Sequence, residues 1–247
     1  PQDDVTAQFE EVSRRLINGG HTLLYGGAPG VDYTVRLHEA ARARHADNVN
    51  LRQQQHLVNY VASYMWPVAP EVDAVMDTIH VVRHVDADVS ETDVERVVRD
   101  LSEMRRHMTR RAQVRVAIGG RLVPVVDGTR LAPGVLEEAY LAVEAGQPLI
   151  VAGGFGGATR LIADALLGEL TPSEIDELAS RHVSPDPRTD GTPGVGFCEM
   201  LDALNSLGVL RNGLTDGENR ELLRTRDVAT ATELIVRSIH RIGSHHH

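Results

Sequence analysis

Short apolar runs, most of them ending in glycine pairs, alternate along this chain with longer segments of helical period, and this alternation constrains the fold most strongly. The runs cover residues 21–25, 78–82, 114–118 and 149–152. Apolar residues nearly fill the last two, as expected for parallel strands that are covered on both faces. Strand–helix alternation at this spacing predicts right-handed β-α-β units. We therefore expect an α/β fold with an open, mostly parallel sheet and helices on both faces.

The helices are predicted from apolar periodicity and capping signals. Asn18-Gly19-Gly20 ends the first helix, and capping boxes at Thr171–Glu174 and Thr215–Glu218 begin two of the later ones. The predicted helices cover 5–17, 94–108, 134–145 and 158–167, with a helical tail whose segments begin near Thr171, Phe197, Thr215 and Val228. Without a repeat or a clear linker, residues 1–242 are expected to form one domain. Residues 243–247 are interpreted as a linker and the remnant of a purification tag.

The composition narrows the classes of function. The chain carries 25 basic residues, all arginine, against 35 acidic ones, a net charge of −10, which argues against a nucleic-acid-binding protein. The lack of lysine excludes a Schiff-base lysine and a Walker A lysine within this chain. Cys198 is the single cysteine, so an internal disulfide is excluded and a cytoplasmic location is expected. No apolar run approaches the roughly 20 residues of a membrane span.

The strongest functional signal is the segment Gly153-Gly154-Phe155-Gly156-Gly157, between the fourth run and a helix. Ligands of open parallel sheets bind beyond the carboxyl ends of the strands, and amide groups at a helix start favour phosphate. A tight turn with close helix packing is the alternative explanation for one such loop. Because Gly26-Gly27 and Gly119-Gly120 end two other runs, we expect three loops to converge on one ligand site.

Standard cofactor and metal motifs do not occur in the chain. The glycine-rich segment matches neither the dinucleotide fingerprint nor the P-loop pattern, so a nicotinamide dehydrogenase is not indicated. The zinc-protease and EF-hand spacings do not occur either. We therefore predict no cofactor and no metal.

Two carboxylates follow Pro133-Gly134 at the start of a predicted helix. Glu137 and Glu138 can stabilise that helix through its dipole, which explains one of them. Beside a phosphate-binding loop, a carboxylate can instead accept hydrogen bonds from ribose hydroxyls. The sequence leaves both interpretations open.

Arginine and aromatic side chains supply the remaining candidates. Arg121 directly follows Gly119-Gly120 and can bind a phosphate with two parallel hydrogen bonds, or can form a surface ion pair. Arg83 follows another strand and has the same two interpretations. Phe155 lies between glycine pairs and is the best candidate for stacking on a base.

Together these segments resemble the SLOG superfamily, Rossmann-like domains related to the LOG phosphoribohydrolases and to DprA. More narrowly, they resemble the sensor modules attached to TIR or SIR2 effectors in anti-phage defence. The resemblance is carried by Tyr25-Gly26-Gly27 with Thr34, Gly119-Gly120-Arg121, Pro133-Gly134 with Glu137-Glu138, Gln147-Pro148-Leu149 with Gly153–Gly157, and Asn212-Gly213-Leu214 with Glu218-Asn219. The LOG motif PGGxGTxxE is only partly present at 133–138, which favours binding without turnover, so no catalytic residue is assigned.

The resemblance implies a ligand-sensing domain for a nucleotide-derived signal, a cyclic ADP-ribose isomer or an NAD-related molecule. The resemblance also implies a homo-oligomer that controls an effector. That effector would lie in a removed segment or on a partner chain. The alternative is a LOG-like nucleotide N-glycosidase, in which Glu138 stabilises an oxocarbenium-like ribose and Arg121 holds the phosphate. A purely structural oligomerisation domain is a third hypothesis.

Overall fold

The computed structural model describes residues 2–26, 57–63, 79–82, 93–126, 128–180, 196–207 and 210–244. Its strands are β1 Leu23–Tyr25, β2 Leu57–Ala62, β3 Ile79–Val82, β4 Arg115–Ile118, β5 Val125–Val126, β6 Thr129–Arg130 and β7 Leu149–Ala152. Its helices are α1 Gln2–Asn18, α2 Asp93–Arg111, α3 Gly134–Glu144, α4 Ala158–Leu166, α5 Pro172–Ala179, α6 Phe197–Asn205, α7 Asp216–Arg224 and α8 Val228–Ser244.

The strands with parallel neighbours form two sheets. β1, β2 and β3 pair in that order, with Leu23 opposite Leu57 and Asn59 opposite Ile79. β4 pairs with β7, and Arg115 lies opposite Leu149. β5 and β6 form a separate antiparallel hairpin. The predicted Rossmann-like α/β class is confirmed, although the described strands form two parallel sheets where the sequence predicted one.

All four predicted strands are confirmed, as β1, β3, β4 and β7, and each is at most two residues shorter than its apolar run. β2 was not predicted. Each residue of β2 is buried, but polar Asn59 interrupts the run, and Ser63 follows it where three of the four predicted runs have glycine. Burial within a sheet therefore determines this strand, because its local pattern is weak.

The predicted helices are also confirmed, with boundaries that agree closely. In both capping boxes, the threonine side chain accepts from the backbone amide of a glutamate, which returns a hydrogen bond to the threonine amide. α8 extends to Ser244, into the segment interpreted as a linker.

Helices cover both faces of the β4–β7 sheet. Side chains alternate along β7, where Leu149 and Val151 join one apolar cluster and Ile150 and Ala152 join another. The first cluster contains residues of α3, α4 and α6, and the second contains residues of α1, α7 and α8. This alternation at a period of two residues explains why the strand is continuously apolar.

Buried amides attach the helical tail to the sheet. The Asn212 side chain donates to the Leu149 carbonyl oxygen and to Asn219 Oδ1, each at 2.9 Å. Its own oxygen accepts from the Leu214 amide at 3.1 Å. Because Asn212 is fully buried, these bonds replace the water that its amide loses on folding.

One helix spans the two parallel sheets. Ile17 of α1 packs against β1, whereas Val12 and Leu16 pack in the cluster that includes Val116 and Ile118 of β4. The two sheets therefore share a helical layer.

Candidate ligand-binding site

Two of the predicted glycine loops meet at the carboxyl ends of β4 and β7. The amide of Ala158, at the start of α4, donates to the Gly120 carbonyl oxygen at 3.0 Å, and the amide of Thr159 donates to that of Gly119 at 2.9 Å. The Gly119 amide in turn donates to Thr159 Oγ1 at 3.1 Å. The first amides of α4, which a phosphate would otherwise attract, therefore bind the neighbouring loop.

Close packing explains why both loops contain glycine. Gly120 and Gly157 have positive φ angles of 90° and 65°, which L-residues with side chains rarely adopt. A Cβ at Gly157 would overlap the Gly120 carbonyl oxygen, and one at Gly120 would lie 2.6 Å from the Val135 side chain in α3. The loop after β4 is thus enclosed by the starts of two helices.

The segment Gly153–Gly157, predicted as the strongest ligand loop, has its first three residues buried and its last two accessible. Gly153, Gly154 and Phe155 form a buried 3₁₀ turn, and a Cβ at Gly154 would overlap the Thr225 carbonyl oxygen. Phe155 is 7% exposed and belongs to the cluster of α1, α7 and α8. Gly156, by contrast, has open space where a Cβ would lie. Gly156 is therefore the residue of this segment that a ligand can approach closely.

Four charged side chains form a cluster at the start of α3. The Arg105 guanidinium donates to Glu137 Oε2 at 2.5 Å and lies against Gly134. Arg115 Nη1 donates to Glu138 Oε2 at 3.2 Å, and Arg105 Nε lies 3.9 Å from Glu138 Oε1. Their side chains are 7–22% exposed. Both predicted carboxylates are thus neutralised by arginines in a largely buried setting.

Sequence reasoning missed Arg105 and Arg115, although one signal was available. Arg115 interrupts an apolar run that was predicted to be covered on both faces. A buried arginine requires an acidic or hydrogen-bonding partner. Glu137 and Glu138 were the acids already identified as candidates, so a pairing of Arg115 with one of them was open to inference.

A cavity of about 710 Å³ lies between the facing edges of β1 and β4. This volume is in the range of small-molecule pockets. Gly26, Ile118, Val135 and Glu138 line the cavity at the end where the glycine loops meet. The cavity therefore brings together two of the predicted residues, Gly26 and Glu138, from distant parts of the chain.

Charged and polar side chains line the cavity together with apolar ones. Arg111 and Arg115 line it together with His21. Burial lowers the pKa of His21, and the nearby His240 lowers it further, so His21 is neutral at physiological pH. The cationic groups of the wall are therefore the two arginines.

Arg121 projects from the surface beside this region. Its side chain is exposed, and it has no ion pair with any residue that the structure describes. Leu122, Val123 and Val125, which lead into the β5–β6 hairpin, are 38%, 38% and 53% exposed. Gly27 and Arg83, two further candidates, lie outside the described residues.

Comparison with known proteins identifies the family. The model of the family described as SLOG cluster2 matches residues 2–222, which is most of the chain. No curated protein and no solved structure matches this chain significantly. In the part of the chain that the structure describes, no helix is both long and apolar enough to cross a membrane.

Proposed function

The chain belongs to the SLOG cluster2 family, and on that premise we propose that it is a sensor of a nucleotide-derived signal that controls an effector in anti-phage defence. The family supports a nucleotide-related ligand-binding or LOG-like domain. The finer proposal names a cyclic ADP-ribose isomer or an NAD-related molecule as the ligand. It further holds that ligand binding changes the assembly of a homo-oligomer and of the attached effector.

The observation that carries this proposal is the position of Arg121. It directly follows a glycine loop that is hydrogen-bonded to the start of α4 at the carboxyl edge of the sheet. An exposed guanidinium without an acidic partner among the described residues favours an anion such as a diphosphate. Gly156, with open space around it, allows the ligand to approach the backbone beside this edge.

The charge cluster supports binding in preference to turnover. A glycosidase needs a carboxylate that faces the developing ribose cation. Glu137 and Glu138 are both engaged by arginines, which reduces the negative charge available to such a cation. These two ion pairs therefore favour binding without turnover.

A LOG-like nucleotide N-glycosidase is the second candidate, and one observation favours it. Glu138 lines the cavity between β1 and β4, so its carboxylate is within reach of a bound molecule. This candidate predicts release of the free base from nucleoside monophosphates, and loss of that release in Glu138→Gln. Clear turnover with that dependence would replace sensing as the proposed function.

A thermal-shift panel tests the sensor proposal directly. Cyclic ADP-ribose isomers, ADP-ribose and NAD are each added to the purified chain, with adenosine as a control that lacks phosphate. A ligand present at 100 times its Kd stabilises the folded state by about 2.7 kcal/mol, which raises the unfolding temperature. No shift with any phosphate-bearing ligand at millimolar concentration would contradict the proposal.

Light scattering tests the assembly part. The molar mass of the chain is measured with and without the ligand that gives the largest thermal shift. We expect a change in mass, or in the mass of a complex with the effector when that is supplied. A shift in unfolding temperature without any change in assembly would support binding and contradict the assembly mechanism.

A further inference from the structure

The hydroxyl of Thr159 connects the two glycine loops of the candidate site. Thr159 lies in the first turn of α4 and is fully buried. Its Oγ1 donates to the Gly156 carbonyl oxygen at 3.0 Å and accepts from the Gly119 amide at 3.1 Å. Because a hydroxyl has one proton to donate, the bond that it accepts from Gly119 leaves that proton for Gly156.

This hydrogen bond orients the peptide group that joins Gly156 to Gly157. In a trans peptide group, the carbonyl and the N–H point in opposite directions. Since the Gly156 carbonyl oxygen is turned inwards to Thr159, the N–H of Gly157 is directed away from that side chain. Gly157 is exposed, and its amide has no hydrogen bond to any residue that the structure describes. The peptide group therefore has a donor on its exposed side.

Two adjacent glycines leave this peptide group little restraint of its own. Gly156 has φ 85° and ψ −163°, and Gly157 has φ 65° and ψ −150°, a region that is essentially restricted to glycine. Glycine also populates the other regions readily. The peptide groups on either side are held, because the Gly156 amide donates to Gly153 and the Arg160 amide donates to Gly157. The Thr159 hydroxyl is thus the restraint on the group between them.

The direction of this peptide group matters for an anion at the carboxyl edge of the sheet. With its carbonyl turned inwards, the group offers the N–H of Gly157 on the exposed side. A group turned over would offer the Gly156 carbonyl oxygen there, and its partial negative charge repels an anion. The Thr159 hydroxyl also binds the loop that leads to Arg121, so one side chain holds both parts of the site.

We propose that Thr159 is a positioning residue of the ligand site, which holds the Gly156–Gly157 peptide group with its N–H outwards. The inference rests on the proposed function in placing an anion at this edge, whereas the orientation is a property of the protein alone. The apparent affinity for an anion falls in proportion to the fraction of molecules with the competent orientation. The hydroxyl raises that fraction before any ligand binds.

Relaxation-dispersion NMR of the Gly157 amide tests the orientation without any ligand. Thr159→Val keeps the shape of the side chain and removes the hydroxyl, whereas Thr159→Ser keeps the hydroxyl. We expect exchange on the microsecond-to-millisecond timescale at Gly157 in Thr159→Val, and none in Thr159→Ser or the parent chain. Thr232→Val is the matched control, because Thr232 is equally buried and its hydroxyl binds Gln8 of α1 instead.

Titration with inorganic pyrophosphate tests the consequence for binding. The amide resonances of Gly157 and Arg121 report the bound fraction. We expect Thr159→Val to bind pyrophosphate about 2- to 10-fold more weakly than the parent chain, the range that one neutral hydrogen bond supplies. Thr159→Ser and Thr232→Val should bind it like the parent. Because both valine variants lose a buried hydroxyl, a loss of affinity in Thr159→Val alone separates positioning from general destabilisation.

Four results would overturn the positioning role: no exchange at Gly157 in Thr159→Val, unchanged affinity in that variant, equal effects of Thr232→Val, or no binding of pyrophosphate by the parent chain. If Thr159→Val does not fold, Thr159→Ala replaces it, since its smaller side chain leaves room for water at the two backbone groups, and exchange at Gly157 is expected there too. Pyrophosphate binding that depends on Thr159, without any response to the nucleotide panel, would support the positioning role and contradict the sensor proposal alone.

Discussion

Gly154 shows that a glycine after a strand can serve packing where it was expected to serve a ligand. Its neighbours are backbone atoms of Arg224 and Thr225, at the end of α7. Backbone atoms cannot rotate out of the way as side-chain ends do. The absence of a Cβ at Gly154 therefore lets the helical tail reach the loop after β7.

Gly154→Ala should lower the free energy of unfolding by about 1–3 kcal/mol or more, because the added methyl group overlaps the Thr225 carbonyl oxygen. Gly217→Ala is the matched control, since Gly217 lies in α7 with open space around it. That change should instead stabilise by about 0.4–1 kcal/mol. Urea unfolding of both variants measures the difference. Equal stability of Gly154→Ala and the parent chain would show that the loop relaxes away from α7.

Arg121→Ala should weaken binding of the active ligand from the thermal-shift panel at least tenfold. A two-pronged, charge-assisted contact contributes about 1.5–3 kcal/mol, which corresponds to about 10- to 150-fold in affinity. Stability should change by less than about 0.5 kcal/mol, because the side chain is exposed. Arg121→Lys should recover only part of the affinity.

Arg220→Ala is the control for this prediction, because Arg220 is an exposed arginine on α7, outside the proposed site. Titration calorimetry gives the affinities. Normal binding by Arg121→Ala would place the phosphate elsewhere, and unfolding of that variant would make Arg121 a structural residue.

At the scale of elements, α7 and α8 are joined through Glu218. This carboxylate completes the capping box of α7 and accepts from Arg241 at 2.7 Å and from Arg237 at 2.9 Å, both on α8. Arg241 contributes most to holding the pKa of Glu218 far below its ordinary value, followed by the Thr215 amide and Arg237. One side chain thus starts a helix and attaches it to its neighbour.

The lowered pKa of Glu218 predicts a pH dependence of stability. The folded state binds a proton here less readily than the unfolded state does, so the contribution is complete above the ordinary value of 4.5. This stabilising contribution of Glu218 is lost as the pH falls from 4.5 towards the lower pKa that Glu218 has in the folded state. Glu218→Gln should therefore be less stable than the parent chain at neutral pH, and the difference should shrink as the pH falls below about 4.5.

Urea unfolding over a pH series measures this effect, with Glu221→Gln, on the exposed side of the same helix, as the control. The control should follow the parent chain throughout. A difference between Glu218→Gln and the parent that stays constant with pH would contradict the predicted linkage.

At the scale of the whole molecule, the charge cluster connects the layers around the two sheets. α2 packs on β2 through Met104 and Met108, whereas α3 packs against the β4–β7 sheet through Leu136 and Ala139. Arg105 and Glu137 join these two helices on one side of the cavity. On the other face, α1 contacts both sheets.

Glu137→Gln should lower the free energy of unfolding by about 1.5–3 kcal/mol, because it removes a charged acceptor from a largely buried arginine. Asp176→Asn, on the exposed side of α5, should change it by less than about 0.5 kcal/mol. Arg105→Gln alone should lower the free energy of unfolding by a similar amount. The double variant should lower it by less than the sum of the two single losses. Strictly additive losses in urea unfolding would show that the two side chains do not interact.

The sequence by itself determined the local elements of this protein. Periodicity, capping boxes and glycine stops depend on residues a few positions apart, so four strands, the main helices and the α/β class were predictable. The order of strand and helix also placed the glycine loops at one edge, because the carboxyl ends of parallel strands lie together.

Only the tertiary structure decided what those loops contact. Gly154 packs on the end of α7, and the start of α4 binds the carbonyl groups of Gly119 and Gly120. β2 and the Arg105–Glu137 pair depend on partners far away in the chain, which local patterns do not encode. The cavity between β1 and β4 is decided in the same way, since it depends on how two sheets are held beside each other by the helices that cover them.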